Sequence, residues 1–207
     1  MTETDIRSES RVRRRERLLD ATAIIVINDG WACVTMSRLA AALQISRQSV
    51  YNELGSKDKL AVALVTREND RFLAAVQLRL LANQDNMTTA VAAAVQAALD
   101  QAEGNPLIKA VVSGSHGNED VLLPLLTVRP EPVLEAAVAM LTEFADQHWA
   151  DQVGPREQLH ELMDSVVRLT LSHLVQPRWP TERVTAMIER MVEHARAGAT
   201  LPGRRRR

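Results

Sequence analysis

The chain has 207 residues, of which 46% are hydrophobic and 25% are charged, and its formal net charge is -1 at pH 7. The length and the hydrophobic content are sufficient for one or two globular domains with a buried core. The single cysteine, Cys33, excludes an internal disulfide and is typical of a reducing compartment. Because the sequence shows neither a signal peptide nor an apolar run of about 18 residues, we expect a cytoplasmic protein with no membrane contact.

The charge is unevenly distributed along the chain. Residues 1–60 contain ten Lys or Arg and eight Asp or Glu, residues 61–203 contain eleven and eighteen, and residues 204–207 are all Arg. The densest basic run, from Arg11 to Arg17, precedes the first predicted helix. It is either an arm that reaches into a DNA minor groove or a solvated lead-in. The C-terminal arginines follow Pro202-Gly203 and are expected to add non-specific attraction at most.

Residues 35–54 predict two short helices joined by a turn at Gln44 and Ile45, which is a helix-turn-helix. Thr35 precedes the first helix as an N-cap. One face of that helix is apolar at helical spacing: Met36, Leu39, Ala40 and Leu43. This pattern favours a DNA-binding protein, although two amphipathic helices with a tight turn also occur by chance in small helical proteins.

The second helix of this motif carries side chains that can recognise DNA bases. Ser46 is its predicted N-cap, and Val50 and Leu54 are expected to pack with Ile45 beneath the first helix. Its polar face consists of Arg47, Gln48, Tyr51 and Asn52. Arg, Gln and Asn side chains pair bidentately with the edges of guanine and adenine, so this face predicts base recognition. Glu53 lies about 100° away from the face, so its charge is not expected to meet DNA phosphates.

The motif and its flanks resemble the N-terminal part of the TetR family of bacterial transcriptional repressors. The resemblance covers roughly residues 13–64 and includes the helix start at Arg17–Ala23, Gly30-Trp31, Thr35-Met36 and the segment Tyr51–Leu60. It implies an all-α protein of about nine helices that binds operator DNA as a homodimer and responds to a ligand.

Three positions depart from the family pattern. Gln44 stands where the family usually has a turn glycine, Leu54 where it usually has an aromatic residue, and Val26 where phenylalanine is common. The two aliphatic replacements preserve burial. Gln44 is expected to be the more costly change, at about 1 kcal/mol, if its backbone needs a positive φ.

The resemblance also implies roles for individual residues. The family's phosphate contacts match Thr35, Tyr51 and Lys57. Its major-groove positions match Arg47, Gln48 and Asn52. Together with Arg14 and Ser46, these are the expected DNA-binding residues.

Beyond the motif the sequence predicts helices and no strands. Ser56 caps a fourth helix that runs to about Leu81. The later predicted helices span residues 86–104, 107–112, 131–150, 155–175 and 181–197. Loops are predicted at 114–120 and 127–130, on either side of a short apolar segment at 121–126. The expected parts of the chain are a basic N-terminal arm (1–17), a helix-turn-helix domain (18–62), a ligand-binding and dimerisation domain (63–198) and a basic C-terminal tail (199–207).

The last two helices predict a partner surface. Each has one apolar stripe, which could be ordinary core. However, one short helix reads too few base pairs for high specificity. Proteins of this kind usually bind as two-fold dimers, in which two such helices read the two halves of a palindrome. The resemblance implies a four-helix bundle between two subunits. The expected interface residues are Leu159, Val166, His173, Val184, Met187, Ile188 and Met191.

The middle of the chain is the expected effector region. Residues 85–175 are rich in Val, Leu, Ala and Met, and only 3% of the chain is aromatic. A cavity lined by aliphatic groups favours an apolar ligand, such as an acyl chain, over a flat polyaromatic one. The candidate lining residues are Val91, Val95, Leu122, Leu126, Met140, Phe144 and Met163, although the better interpretation of each one taken alone is plain core. The ligand itself is implied by the resemblance.

The sequence predicts no enzyme. Its five histidines are scattered, and it has no glycine-rich phosphate loop or nucleophile elbow. His160 and Asp164 are four residues apart and could share a metal, but no third ligand is evident, so neither a metal site nor a cofactor is expected. Two hypotheses follow: a ligand-responsive homodimeric repressor, and a small-molecule-binding or scaffold protein of the same fold without promoter regulation. The intact Arg47, Gln48, Tyr51 and Lys57 favour the first.

Overall fold

Nine α-helices and no β-strand make up the regular structure of residues 3–112, 121–122 and 131–199, which are the residues that the computed structural model describes. The predicted all-α fold is therefore confirmed. The helices are α1 (Glu3–Asp29), α2 (Met36–Leu43), α3 (Arg47–Leu54), α4 (Lys57–Ala82), α5 (Met87–Gly104), α6 (Pro106–Val112), α7 (Glu131–His148), α8 (Arg156–Val175) and α9 (Thr181–Ala199), with a 3-10 turn at Trp31–Cys33. The loops predicted at 114–120 and 127–130, and most of the apolar segment between them, lie outside the described residues. Within the described ranges, no helix combines the length and the apolar character that crossing a bilayer requires.

The described residues form two compact units, the first within Met1–Asn69 and Asn105–Pro130, and the second within Asp70–Gly104 and Glu131–Arg207. The core of the first unit includes Leu18, Val26, Leu39, Val50, Leu60, Leu64, Leu107 and Val111. The core of the second unit includes Met87, Val91, Phe144, Trp149, Leu159, Met163, Val184 and Ile188. Although the sequence analysis assigned α6 to the ligand-binding domain, its apolar side chains are buried in the first unit because they pack with the core of the helix-turn-helix.

The first helix begins well before its predicted start at Arg17. α1 extends from Glu3 to Asp29, so the described part of the expected basic arm belongs to this helix. Residues 3–16 contain charged and polar residues without an apolar stripe. Hydrophobic periodicity therefore gave no helix signal there.

Gln44 forms the turn between α2 and α3 in the left-handed conformation, with φ 55° and ψ 42°. The Ile45 N–H donates to the carbonyl of Ala40 at 3.0 Å, and the Gln44 N–H donates to that of Ala41 at 3.2 Å. These two bonds form a Schellman motif, which usually has glycine at the left-handed residue. Gln44 therefore has the positive φ at which its side chain is expected to cost about 1 kcal/mol of stability.

Gln44→Gly is expected to raise the free energy of unfolding by up to ~1 kcal/mol, because glycine adopts the left-handed conformation without a Cβ clash. The gain is partly offset by the greater freedom of glycine in the unfolded chain. Urea unfolding at a fixed protein concentration measures the difference. Gln44→Ala is the matched control and should give no gain, since alanine keeps the Cβ; equal stabilisation by both variants would contradict the argument.

Trp149 closes one end of the core of the second unit. Its side chain is 1% exposed and follows the last residue of α7. The indole Nε1 donates to the carbonyl of Gln84 at 2.8 Å, in the turn between α4 and α5. Phe144 meets the indole edge-on, with the ring centroids 5.1 Å apart. A single side chain thus combines a buried aromatic contact with the hydrogen bond that satisfies a turn carbonyl.

Candidate DNA-binding surface

Both helices of the helix-turn-helix begin with a side-chain cap. The Thr35 hydroxyl oxygen accepts from the N–H of Arg38 at 3.1 Å, and the Ser46 hydroxyl oxygen accepts from the N–H of Ser49 at 3.1 Å. These caps satisfy backbone donors that a helix start otherwise leaves unpaired. Thr35 and Ser46 are exposed, so each predicted DNA-binding hydroxyl also fixes the start of its own helix.

The exposed face of α3 brings together the four predicted side chains Arg47, Gln48, Tyr51 and Asn52. The opposite face buries Val50, which is 0% exposed, and Leu54, which is 4% exposed. These two anchors fix the rotation of α3, so its polar face has one defined orientation. Tyr51, a large side chain with an apolar ring, is nonetheless 45% exposed.

Two side chains on this face are already joined to each other. Gln48 Nε2 donates to Asn52 Oδ1 at 2.9 Å. This bond leaves both N–H donors of Asn52 and the carbonyl oxygen of Gln48 available. The pair therefore presents donors and an acceptor side by side, which is the pattern that an adenine edge requires.

Lys57, the predicted phosphate contact at the start of α4, is held by the 3-10 turn. Its Nζ lies 5.3 Å from the centroid of the Trp31 ring and 3.4 Å from the carbonyl oxygen of Ala32, to which it donates. Trp31 is 4% exposed, so the ring is a fixed platform for the ammonium group. In the sequence Trp31 only marks the end of the first helix, because spacing alone does not reveal a contact between residues 31 and 57.

The basic residues of α1 lie against the C-terminal end of α3. Arg11 Nε is 3.3 Å from Glu53 Oε2, and Arg14 Nη1 is 3.9 Å from Glu53 Oε1. Arg15 Nη1 donates to the backbone carbonyl of Glu53 at 2.9 Å. No partner for Glu53 was predicted from the sequence. In the structure this residue joins α1 to the predicted DNA-reading helix.

Arg67 holds α4 beside α1 within the first unit. It is 9% exposed, and its Nη1 donates to Asp20 Oδ1 at 2.8 Å and to the carbonyl of Glu16 at 3.2 Å. Its Nη2 donates to Glu68 Oε1 at 2.6 Å. A nearly buried guanidinium satisfied by several acceptors fixes the geometry of the helices that supply them. It thereby fixes the part of α4 that follows Lys57.

The expected dimer interface needs a correction. Leu159 and Ile188 are 0% exposed, Val184 is 1% exposed and Val166 is 2% exposed, and all four belong to the core of the second unit of one chain. The apolar stripes of α8 and α9 therefore pack within the chain at these positions, so these four side chains offer no free surface to a partner.

The other three expected interface residues are only partly buried: His173, Met187 and Met191. The His173 ring lies 5.5 Å from the ring of Trp179, measured between centroids. Arg183 also lies over the Trp179 ring, with its Cζ 4.7 Å from the ring centroid. Trp179 is 41% exposed, so the turn between α8 and α9 carries an accessible aromatic side chain.

The residues expected to line an effector cavity do not all lie in the same hydrophobic core. Val91, Val95, Phe144 and Met163 are buried in the core of the second unit, and Met140 packs against it. Leu122, by contrast, is buried in the core of the first unit, among side chains of the helix-turn-helix. Leu126 lies outside the described residues.

His160 and Asp164 take different partners and do not face a common metal position. His160 Nε2 lies 2.9 Å from Asp146 Oδ1, whereas Asp164 Oδ2 accepts from Arg168 Nε at 2.7 Å. Hydrogen bonds from Arg156 and then from His160 lower the pKa of Asp146 to about 2. Among the side chains that the structure describes, no group of three or more His, Cys, Asp or Glu is placed to hold a metal ion.

Known proteins resemble this chain in both sequence and fold. Residues 86–194 match the family model for the C-terminal domain of the bacterial tetracyclin repressor. The HTH-type transcriptional regulator AlkX of Mycobacterium tuberculosis is 29% identical over 183 residues, which cover 88% of this chain and 85% of that protein.

Two solved structures share the fold at lower sequence identity. The first is the crystal structure of the TetR family repressor AlkX from Dietzia sp., which is implicated in biodegradation of n-alkanes. It superposes on this chain with a TM-score of 0.70 at 22% sequence identity, and the match covers 89% of this chain and 98% of that chain. The second is the fatty acid degradation regulator FadR from Bacillus halodurans, which superposes with a TM-score of 0.53 at 13% sequence identity. This match covers 94% of this chain and 97% of that chain. Both likenesses concern the arrangement of the helices.

Proposed function

The chain belongs to the TetR family of transcriptional regulators, and from this we propose that it is a ligand-responsive repressor that a small apolar effector releases from operator DNA. Its family consists of regulators, so the chain is a DNA-binding regulator and not an enzyme. The observation that carries the proposal is the exposed face of α3. This face combines Arg47, Gln48, Tyr51 and Asn52 on a helix anchored by two buried side chains.

We assign the contacts of this surface by chemistry. Arg47, Gln48 and Asn52 can form bidentate hydrogen bonds with base edges and are proposed to read sequence in the major groove. Thr35, Ser46, Tyr51, Lys57 and Arg14 are proposed to position the protein on phosphates. A nuclease footprint on DNA that flanks its own gene, beside DNA of scrambled sequence, tests the function directly. Protection of one defined site supports it, and protection without sequence preference would reject a repressor that recognises an operator.

The regulator is proposed to act as a homodimer on a palindromic operator. Two copies of α3 read two half-sites roughly 34 Å apart, which supplies the specificity that one eight-residue helix lacks. Because four of the expected interface residues are core, the partner surface is proposed to use the partly exposed positions of α8 and α9, with Met187, Met191 and His173 among them.

Met191→Glu is expected to convert the dimer to a monomer at micromolar concentration, because an unpaired carboxylate would be buried in an apolar interface. Sedimentation measures the change. Ala197→Glu on the same helix is the control, since Ala197 is exposed in the chain. If wild type itself sediments as a monomer, the dimer proposal is wrong; thermal melting of the variant separates dissociation from unfolding.

The effector is proposed to be aliphatic, such as a fatty acid or an acyl-coenzyme A ester. The buried side chains of the second unit are mainly aliphatic, with Val91, Val95 and Met163 among them. Such walls suit a flexible hydrocarbon chain. Two related proteins also bear on the class of ligand, because the Dietzia AlkX repressor is implicated in biodegradation of n-alkanes and the Bacillus halodurans FadR regulates fatty acid degradation.

Ligand binding is proposed to lower DNA affinity through α4, whose residues belong to both units. A ligand shifts a conformational equilibrium only by its differential affinity for the two states. DNA must therefore weaken ligand binding by the same factor by which the ligand weakens DNA binding. Calorimetric titration of fatty acids and acyl-coenzyme A esters, with and without operator DNA, measures the factor by which DNA weakens ligand binding. A ligand that binds equally well in both conditions is not the inducer.

A further inference from the structure

The N-terminal extension of α1 and the C-terminal end of α3 form one basic surface. Arg11, Arg14 and Arg15 follow helical spacing and converge on Glu53, two through its carboxylate and one through its backbone carbonyl. The Glu53 side chain is 10% exposed, whereas the side chains of Arg11 and Arg14 are 72% and 49% exposed. The acidic partner is covered, and the guanidinium groups remain open to solvent.

The unpaired carbonyls and the partial negative charge at the C-terminal end of α3 explain why the arginines gather there. Glu53 is the next-to-last residue of α3, where backbone carbonyls lack helical partners and the helix carries partial negative charge. Arg15 satisfies the carbonyl of Glu53, and the carboxylate attracts the other two arginines. Three guanidinium groups around one carboxylate leave two positive charges in excess. The surface is therefore docked on α3 and still able to bind an anion.

The helical form of this segment decides which part of DNA it fits. An α-helix with its side chains is about 10–12 Å across, whereas the minor groove is only about 6 Å wide. A helix cannot enter that groove as an extended arm does. The eight residues of α3 span about 12 Å, which is comparable to the width of the major groove. When α3 lies across the major groove, groups at its C-terminal end come near a phosphate backbone that borders the groove.

We propose that the N-terminal extension of α1 is a second DNA-contacting surface, in which Arg11 and Arg14 bind backbone phosphates beside the recognition helix while Glu53 tethers them. The proposal rests on the proposed function, because it takes α3 to be the helix that reads the operator. It assigns Glu53 the role of holding these arginines on α3 in the free protein, where its charge competes with DNA phosphates for them, and it replaces the minor-groove arm by a rigid phosphate-binding helix.

The first experiment removes the two exposed guanidinium groups together. Each phosphate contact contributes about 0.9 to the slope of the logarithm of DNA affinity against the logarithm of salt concentration. Because each subunit of the proposed homodimer loses two arginines, Arg11→Gln with Arg14→Gln should reduce the slope by about 3.6. The loss of affinity should be the same on operator and on scrambled DNA, and it should not change when A·T pairs beside the half-sites are replaced by G·C. Arg178→Gln, which removes one exposed arginine far along the sequence, is the control for loss of positive charge outside this surface and should leave the slope unchanged.

A second experiment tests the tether. Glu53→Gln keeps the backbone carbonyl that Arg15 binds but removes the charge that competes with DNA for Arg11 and Arg14. DNA affinity should rise and the salt slope should become steeper. Both gains should disappear in the background that lacks the two arginines. A gain that persists in that background would show that Glu53 does not act through them.

The outcomes separate this inference from the function on which it rests. If wild type prefers its operator over scrambled DNA while the double arginine variant keeps the full salt slope, the α1 surface is not a phosphate site, although the repressor function stands. A loss that depends on the A·T content of the flanks would also overturn the inference, in favour of a minor-groove arm. Wild type without any sequence preference would instead overturn the proposed function.

Discussion

Trp149→Ala is expected to lower the free energy of unfolding by about 3–5 kcal/mol, the usual cost of truncating a buried tryptophan. The indole is 1% exposed in the core of the second unit, so the substitution leaves a cavity among Phe144 and its neighbours. It also removes the donor to the Gln84 carbonyl, and an unpaired turn carbonyl adds to the cost. Denaturant unfolding at one fixed protein concentration measures the change, since association would otherwise alter the apparent stability.

Trp149→Phe is the matched variant for this test. Phenylalanine keeps an aromatic ring next to Phe144 but has no N–H for the Gln84 carbonyl. Its cost should fall between wild type and alanine, with a share of about 1–3 kcal/mol for the lost hydrogen bond. A cost below about 1 kcal/mol for alanine would mean that the site collapses around the missing ring and that Trp149 is not a main support of the core.

Arg47→Ala is expected to weaken operator binding by roughly 1–3 kcal/mol, which corresponds to about a 5- to 150-fold loss, because a bidentate base contact is removed. The loss should be larger on the operator than on scrambled DNA. Arg47 is exposed at the first residue of α3, so the substitution should leave the fold intact. Titrations on both DNAs at several salt concentrations separate loss of recognition from loss of charge.

Lys57→Ala is the comparison for that experiment. Its ammonium group is held between Trp31 and the Ala32 carbonyl and is proposed to meet a phosphate. Lys57→Ala should weaken binding to all sequences similarly and reduce the salt slope by about one for each subunit of the dimer. Unchanged operator affinity and base preference in Arg47→Ala would contradict the assignment of α3 as the recognition helix.

Local rules predicted the helix-turn-helix well. The caps at Thr35 and Ser46 followed from residue type, because a hydroxyl beside the first turn satisfies a free N–H. The position of the left-handed turn at Gln44 followed from the family pattern, even though glycine is absent. Burial of Val50 and Leu54 followed from helical spacing, which fixes the faces of a short amphipathic helix.

The remaining features depend on contacts between residues that are distant in sequence. Glu53 meets Arg11 across 42 positions, and Arg67 meets Asp20 across 47, so no local pattern indicates either pair. The stripe through Leu159 and Ile188 illustrates a different limit. Helical spacing shows that a face is apolar but not whether its own chain or a partner covers it.

The three tryptophans of the chain occupy three different environments, and this gives the regulator optical probes of its own. Trp31 lies beneath the ammonium group of Lys57, Trp149 is enclosed in the second unit, and Trp179 is exposed beneath Arg183. Indole fluorescence responds to nearby charge and to solvent. A phosphate that draws Lys57 away would alter the emission of Trp31, whereas an apolar ligand among the aliphatic side chains would alter that of Trp149. Replacing one tryptophan at a time would therefore assign DNA contact and ligand entry to separate signals.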